Sequence, residues 1–140
     1  MDIQITVDDK AAKRLLSRKQ KQLKAEIKRG LIRAAFRGIK LIGERMDAGK
    51  EIKGGNFKPY DREYALFRRS KGRSTKPDLQ FTRRMRQSMV SRATSKEARI
   101  FFSRPEEAKK AQANNKTRPF FGFNQRDESE IKRVFFKAIK

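Results

Sequence analysis

The chain has 140 residues, and its 38 Lys and Arg against 16 Asp and Glu give a formal net charge of +22. It has no histidine and no cysteine, so the usual neutral-pH acid–base group, the thiol nucleophile and the soft metal ligands are missing. Like charge at this density opposes compaction unless a polyanion or an acidic neighbour offsets it. We therefore expect a charged structural or binding protein rather than an enzyme, with no cofactor, no metal and no small-molecule substrate.

The length fits a single domain spanning residues 1–140. Eleven Phe, together with the Ile and Leu of the chain, suffice for one modest core. No apolar run approaches the roughly 20 residues that a membrane span needs, and the first ten residues have no apolar run typical of a signal peptide. We expect a soluble, intracellular protein without a membrane partner.

The first predicted element is a short strand at Asp2–Val7, where apolar and polar residues alternate. Asp8 and Asp9 then offer N-cap oxygens for a helix that begins near Lys10.

The longest predicted element is a helix from about Lys19 to Met46, because apolar residues recur there every three or four positions. Gly30, Ala34 and Gly38 lie on one side of it, four residues apart. Each glycine costs up to about 1 kcal/mol in a helix interior. We therefore expect a close neighbour on this side and assign these three residues to subunit packing.

A basic ridge on the opposite side of this helix consists of Arg29, Arg33, Arg37 and Lys40. The non-functional interpretation of such a row is a solvated helix face. Because the chain has too few acids to neutralise its cations internally, we expect the ridge to contact a polyanion or an acidic neighbour. No DNA-reading motif is present, so contact without base readout is favoured.

Residues 57–77 are predicted to be irregular and basic, apart from a helical turn at Tyr60–Phe67. Residues 68–76, here called the basic loop, are predicted to be exposed and mobile. With the ridge, the cations of this loop form the predicted surface for DNA or another polyanion: Arg68, Arg69, Lys71, Arg73 and Lys76.

The second half begins with a short helix that Thr82 caps, with Met85 and Met89 facing inward. Val90–Thr94 and Ala98–Phe102 are predicted to form a hairpin. The fold class is therefore α+β, with a long N-terminal helix, a small antiparallel sheet or hairpin, and a C-terminal helix.

Two capping boxes predict two further helices. Ser103 with Glu106 begins the first, and Asp127 with Glu130 begins the last. Phe136 lies off the apolar stripe of the last helix and is a candidate contact with another subunit.

Phe120, Phe121 and Phe123 surround Gly122 in a pattern faintly similar to the aromatic strand of an RNA-recognition motif. The preceding Pro119 argues against a central strand. Stacking on RNA is thus one interpretation of these rings, and packing in the core or at a subunit interface is the favoured one.

Pro77-Asp78 followed by Glu97-Ala98-Arg99 approximates the acidic signature of metal-dependent nucleases, with Arg99 where a Lys belongs. Such short acidic patterns often arise by chance, and Glu97 fits a hairpin turn. We expect no catalytic residue and no metal site.

The second half also carries a series of short motifs: Phe57-Lys58-Pro59-Tyr60, Pro77-Asp78-Leu79, Thr82-Arg83-Arg84-Met85-Arg86-Gln87-Ser88, the hairpin, Pro105–Asn114, and Arg118-Pro119-Phe120-Phe121-Gly122-Phe123 before Asp127 and a final helix. In this order they resemble the bacteriophage virion-morphogenesis (tail completion) proteins, over residues 57–139. One departure is Arg83, where that family usually has Gly.

The resemblance implies a structural α+β subunit of a tailed phage or phage-derived particle, which forms an oligomeric ring at the head–tail junction, or neck. The implied partners are further copies of the chain (the family suggests six), the connector, tail terminator and tail tube, and double-stranded DNA in the channel. The expected location is the virion neck, after assembly in the cytoplasm of a bacterial host. The alternative is a free, sequence-nonspecific nucleic-acid-binding protein of ribosomal or nucleoid type.

Overall fold

Five helices and three short strands make up the part of the chain that the computed structural model describes, residues 1–6, 10, 20–80 and 82–139. The predicted α+β class and single domain are confirmed for this part of the chain. The helix expected to begin near Lys10 falls almost entirely outside it. In chain order the elements are β1 (Asp2–Thr6), α1 (Gln20–Ala48), α2 (Arg62–Ser70), α3 (Arg84–Gln87), β2 (Met89–Ala93), β3 (Glu97–Phe102), α4 (Pro105–Thr117) and α5 (Gln125–Ala138).

The long helix α1 buries the predicted apolar stripe. Ile27, Leu31, Ile42 and Met46 are each at most 1% exposed, and burial of such a side chain contributes about 1.5–3 kcal/mol. The helix ends at Gly49, whose φ of +66° lies in the left-handed region that favours glycine after a helix. Despite its length, neither α1 nor another helix in the described ranges is apolar enough to cross a membrane.

The sheet is antiparallel, with the strand order β1-β3-β2. On the central strand, Ile100 lies between Ile3 of β1 and Ser91 of β2. Ala98, Ile100 and Phe102 alternate along β3 on the face that packs against the core, and all three are buried. The predicted first strand and hairpin are thus confirmed, and together they form one sheet.

Helix α5 packs antiparallel along α1. In the first half of α1, a Cβ placed on Gly30 would lie 2.9 Å from both Phe135 of α5 and Ile139, which directly follows α5. Toward the other end of α1, Arg45 forms an ion pair with Asp127 in the first turn of α5. The two helices and the inner face of the sheet enclose the core.

The predicted capping box of Ser103 and Glu106 is not formed. The N-cap residue of α4 is Arg104, and its side chain makes no capping hydrogen bond. Pro105 occupies the first helical position, where its missing N–H leaves nothing to be satisfied.

The capping box of α5 exists, but it is not the predicted pair Asp127 and Glu130. Asn124 is the N-cap, and its Oδ1 accepts a hydrogen bond from the Asp127 backbone N–H at 2.8 Å. Asp127 in turn accepts from the Asn124 backbone N–H at 3.2 Å. Since α5 begins at Gln125, Asp127 occupies the N3 position of the capping box and not the N-cap position.

Helix α2 lies where the sequence predicts little more than a helical turn in an irregular segment. Asp61 caps it by accepting a hydrogen bond from the Tyr64 backbone N–H at 2.8 Å. Its buried residue is Arg68, whereas Leu66 and Phe67 are about half exposed. Its last turn includes residues 68–70, which the sequence assigns to the basic loop. Among the described elements, α2 packs only marginally on other helices and strands.

The start of α3 has a strained backbone. Thr82 Oγ1 accepts a long hydrogen bond of 3.4 Å from the Arg84 backbone N–H, in partial agreement with its predicted role as a cap. Arg83, at the N-cap position, has a φ of +66°, a conformation that glycine adopts without a steric cost. The glycine that the resembled family usually carries here would therefore suit this backbone. Met85 and Met89 are buried as predicted.

Candidate functional site

The basic ridge of α1 is only partly available to an external anion. Arg29, Arg33 and Lys40 are exposed. The Arg37 side chain is 30% exposed and pairs with Glu130 of α5 at 3.3 Å. Its Nε is buried and has no hydrogen-bond partner within the described ranges. Arg37 thus connects α1 to α5, and the other three cations of the ridge remain on the surface.

Phe36 lies on the same surface as the ridge, although the sequence analysis does not include it among the functional residues. It is 61% exposed. It follows Arg33 by three residues and precedes Lys40 by four, so the three side chains share a helix face. In the sequence, the exposure of Phe36 is indicated by its position off the apolar stripe of α1.

Arg68 is a structural residue, which corrects its assignment to the polyanion-facing surface. Its side chain is 2% exposed and lies 3.4 Å from the Asp78 carboxylate. Its Nε donates to the backbone oxygen of Ser74 at 2.6 Å, and its Nη2 donates to that of Gln80 at 2.9 Å. A guanidinium used in this way holds three chain segments together and does not reach a nucleic acid.

The other cations of the basic loop are exposed, as predicted: Arg69, Lys71, Arg73 and Lys76. The Lys76 ammonium also donates to the backbone oxygen of Asp47 at the end of α1, at 2.7 Å. The loop is therefore attached to α1 at its end and is closed internally by the Arg68–Ser74 hydrogen bond, whereas the sequence predicts a mobile loop.

Tyr60 lies between two guanidinium groups. The Cζ atoms of Arg68 and Arg118 are 4.9 Å and 4.8 Å from its ring centroid, within the range of cation–π attraction. The Tyr60 hydroxyl accepts a hydrogen bond from the Leu79 backbone N–H at 2.9 Å. Burial raises the pKa of Tyr60 above its ordinary value, so the ring stays neutral in this position.

Arg118 completes what we call the motif junction, the contacts among Tyr60, Arg68 and Arg118. It donates from Nε to the Lys58 oxygen at 2.6 Å and from Nη2 to the Pro59 oxygen at 3.0 Å. Three segments that carry the family resemblance meet here: Phe57–Tyr60, Pro77–Leu79 and Arg118–Phe123. They are far apart in the chain, since the Arg118–Lys58 bond spans 60 residues.

The loop at residues 118–123 is held inside the domain by Arg45 of α1. Phe120 and Phe121 are 0% and 6% exposed. Arg45 Nη1 donates to the backbone oxygens of Phe120 and Gly122, both at 2.7 Å, and Nη2 pairs with Asp127. Of the two packing interpretations, core or subunit interface, the structure shows the first for Phe120 and Phe121, which are core residues of their own chain. The structural role of Arg45 has no signal in the local sequence.

The close neighbour expected beside Gly30, Ala34 and Gly38 is the chain itself. Ala34 is fully buried, and a Cβ on Gly38 would lie 2.7 Å from Phe123. The space at Gly30 is filled by Phe135 and Ile139, and that at Gly38 by Phe123 and Ile100. The assignment of Gly30, Ala34 and Gly38 to subunit packing is therefore wrong, and Phe123 also packs within its own chain. Phe136 is 51% exposed, and its contact with another subunit stays a prediction.

The two acids of the nuclease-like pattern make local contacts. Asp78 lies beside Arg68, while Glu97 accepts a hydrogen bond from Gln4 and pairs with Arg99 at 3.4 Å. Among the residues that the structure describes, no group of three or more His, Cys, Asp or Glu side chains is placed to hold a metal ion.

Comparisons with protein families, with curated proteins and with solved structures find no match for the chain.

Proposed function

We propose that the chain is a structural protein of a tailed phage or phage-derived particle, which forms a ring at the head–tail junction through which DNA passes. The motif junction is the observation that carries this proposal. Segments that resemble the tail completion proteins are distant in the chain, yet they meet at Tyr60 through Arg68 and Arg118. Short motifs that each matched the family by chance would have no reason to contact one another in the fold. Their meeting in one network therefore favours a true resemblance.

The backbone at Arg83 adds support from a different position. The resembled family usually has glycine there, and the φ of +66° is one that glycine favours. The backbone at the one position where the sequence departs from the family pattern is thus compatible with the family's usual glycine.

The surface charge supports contact with DNA. Even complete pairing of every acid would leave an excess of 22 cations. We assign the contact with DNA to the exposed cations of the ridge and of the basic loop: Arg29, Arg33, Lys40, Arg69, Lys71, Arg73 and Lys76. Cations that neutralise phosphates release counterions, so binding through them weakens steeply as salt rises.

Charge reversal tests the DNA contact. One variant carries Arg29→Glu, Arg33→Glu and Lys40→Glu, and a second carries Arg69→Glu, Lys71→Glu and Arg73→Glu. A control with the same net charge reverses three exposed cations on and beside α4, namely Arg104, Lys109 and Lys116. Assembly into particles and retention of DNA are scored for each. We expect the ridge or loop variant to lose DNA retention and the control to keep it; equal behaviour of all three would contradict DNA contact at these surfaces.

A free, sequence-nonspecific nucleic-acid-binding protein is the second candidate, and the exposed Phe36 beside Arg33 and Lys40 favours it. Stoichiometric, salt-sensitive binding by an isolated monomer that is absent from purified particles would support this candidate. Presence in purified particles would support the neck protein.

A further inference from the structure

Both tyrosines of the chain and one phenylalanine form a continuous aromatic surface on and beside α2. The Tyr60 ring meets the Tyr64 ring edge-on, with centroids 4.9 Å apart. Tyr64 and Phe67 are stacked with centroids 6.3 Å apart, and they are 37% and 48% exposed. Arg68 and Arg118 both contact the Tyr60 ring, and Arg68 also lies 5.8 Å from the Tyr64 ring centroid. The rings with exposed surface for a ligand are those of Tyr64 and Phe67.

A recess of about 290 Å³ opens beside this aromatic surface. Its walls include Met85, Arg83 and Lys110, and also Glu107, whose side chain is only 3% exposed. The Glu107 carboxylate is paired with the exposed Lys110 ammonium at 3.3 Å. Rings, cations and a buried hydrogen-bond acceptor therefore line one small site.

The charge around the aromatic surface is predominantly positive. Arg62, Arg69 and Lys71 on or next to α2 are exposed, and the Lys71 ammonium lies 5.9 Å from the Phe67 ring centroid. A second copy of this basic chain would bring further positive charge to the surface. A partner with negative charge and flat rings is complementary to it.

We propose that the aromatic surface binds unpaired nucleotides of a single-stranded nucleic acid. Bases stack on Tyr64 and Phe67, and phosphates lie against the surrounding cations such as Lys71. Proteins that hold single strands without sequence preference combine these same two features. A duplex conceals the faces of its bases, so the surface discriminates single strands from duplexes. This inference does not require the ring at the head–tail junction, although Arg69 and Lys71 are assigned to both surfaces.

Tyrosine fluorescence reports binding at this surface, because the chain has two tyrosines and no tryptophan and both tyrosines belong to the surface. The full chain is titrated with oligothymidylate DNA, with oligouridylate RNA and with a DNA duplex, each of about 12 nucleotides, a length within the range that one small domain covers. We expect quenching by the single strands and little by the duplex, and the DNA and RNA arms show which strand is preferred.

Phe67→Ala tests the stacking contact. By fluorescence anisotropy of labelled oligonucleotides, we expect single-strand affinity to fall about tenfold and duplex affinity to be unchanged. Phe67→Tyr, which keeps a ring, should retain the affinity for single strands. Leu66→Ala is the matched control, since Leu66 is similarly exposed on the same helix but has no ring.

Three results would overturn the inference. One is equal quenching by duplex and single strands, or no quenching by either. Another is an equal loss of both affinities in Phe67→Ala. The third is that Phe67→Ala keeps its affinity for single strands and instead abolishes self-association, which would make the aromatic surface an interface with a second copy. Should Phe67→Ala fold poorly, the comparison of single strand with duplex in the unaltered chain still decides.

Discussion

Arg45 and Arg68 each place a guanidinium in the interior, where it donates to backbone oxygens of loops. The acceptors of Arg45 lie 75 and 77 residues away in the chain, and those of Arg68 lie 6 and 12 residues away. Arg45 holds the loop at residues 118–123, and Arg68 holds the segments around Ser74 and Gln80. Buried backbone oxygens without a donor would cost free energy. Because a guanidinium has five donors in a fixed plane, one arginine satisfies several of them at once.

Replacement of Arg68 by Met should lower the free energy of unfolding by about 3 kcal/mol, because Asp78 and two backbone oxygens lose their buried donor. Urea denaturation measures this change. Arg69→Met is the matched control: the neighbouring side chain is exposed, so its replacement should change stability by no more than about 0.5 kcal/mol. Equal effects of the two variants would show that Arg68 does not have the structural role assigned to it.

Arg83→Gly should raise the free energy of unfolding by about 1 kcal/mol, because it relieves the steric cost of a left-handed residue with a side chain. Thermal unfolding followed by circular dichroism detects the expected higher melting temperature. Arg84→Gly, at the first helical position of α3, should lower stability by up to about 1 kcal/mol instead. A lower melting temperature for Arg83→Gly would contradict the strain at this position.

At the scale of elements, apolar periodicity predicts α1 and the strands well, because their buried residues are apolar and recur at the spacing of a helix or strand. Helix α2 lacks this signal: its buried residue is Arg68, and Leu66 is exposed. The capping boxes fail for a related reason. Several nearby residues can cap, and Asn124 is selected because its side-chain amide also reaches the Ile52 backbone oxygen at 2.7 Å, a contact with a distant segment.

The candidate site also depends on contacts between distant segments, which a local sequence pattern does not show. The row of cations on α1 is visible in the sequence, but Arg37 is removed from it by Glu130, which is distant in the chain. The small residues Gly30 and Gly38 correctly indicate a close approach, yet only the packing of α5 and the preceding loop shows that the neighbour is intramolecular. Local pattern thus predicts that a contact exists and not which segment provides it.

The packing around α1 leads us to expect opposite effects on stability when Gly38 and Gly43 are replaced by alanine. At Gly38, an added Cβ would lie 2.7 Å from the Phe123 ring and 3.0 Å from Ile100. Gly38→Ala should therefore destabilise by about 1–3 kcal/mol through overpacking. At Gly43 the added Cβ meets the end of the Arg86 side chain, which can move, so Gly43→Ala should be neutral or gain up to about 1 kcal/mol of helix propensity.

Chemical denaturation of both glycine variants provides the measurement. The comparison controls for helix propensity, since both substitutions are the same change within one helix. Destabilisation by Gly43→Ala equal to that by Gly38→Ala would contradict the packing described for Phe123.

For the molecule as a whole, ion pairs within the fold neutralise only part of the positive charge. The described ion pairs engage cations with structural roles, such as Arg37, Arg45 and Arg68, whereas most of the ridge and of the basic loop remains exposed. An excess of 22 positive charges on a small domain favours partners that carry negative charge. The proposed ring around DNA would provide such a partner and would also give Phe136 a neighbour.

Sedimentation velocity of the purified full chain, at physiological ionic strength and with or without double-stranded DNA, tests the ring most directly. We predict one discrete closed oligomer, for which the family resemblance suggests six copies, either alone or once DNA offsets the charge. A species that stays monomeric over the whole range of protein concentration, with DNA as well as without it, would contradict a role as a ring-forming neck protein.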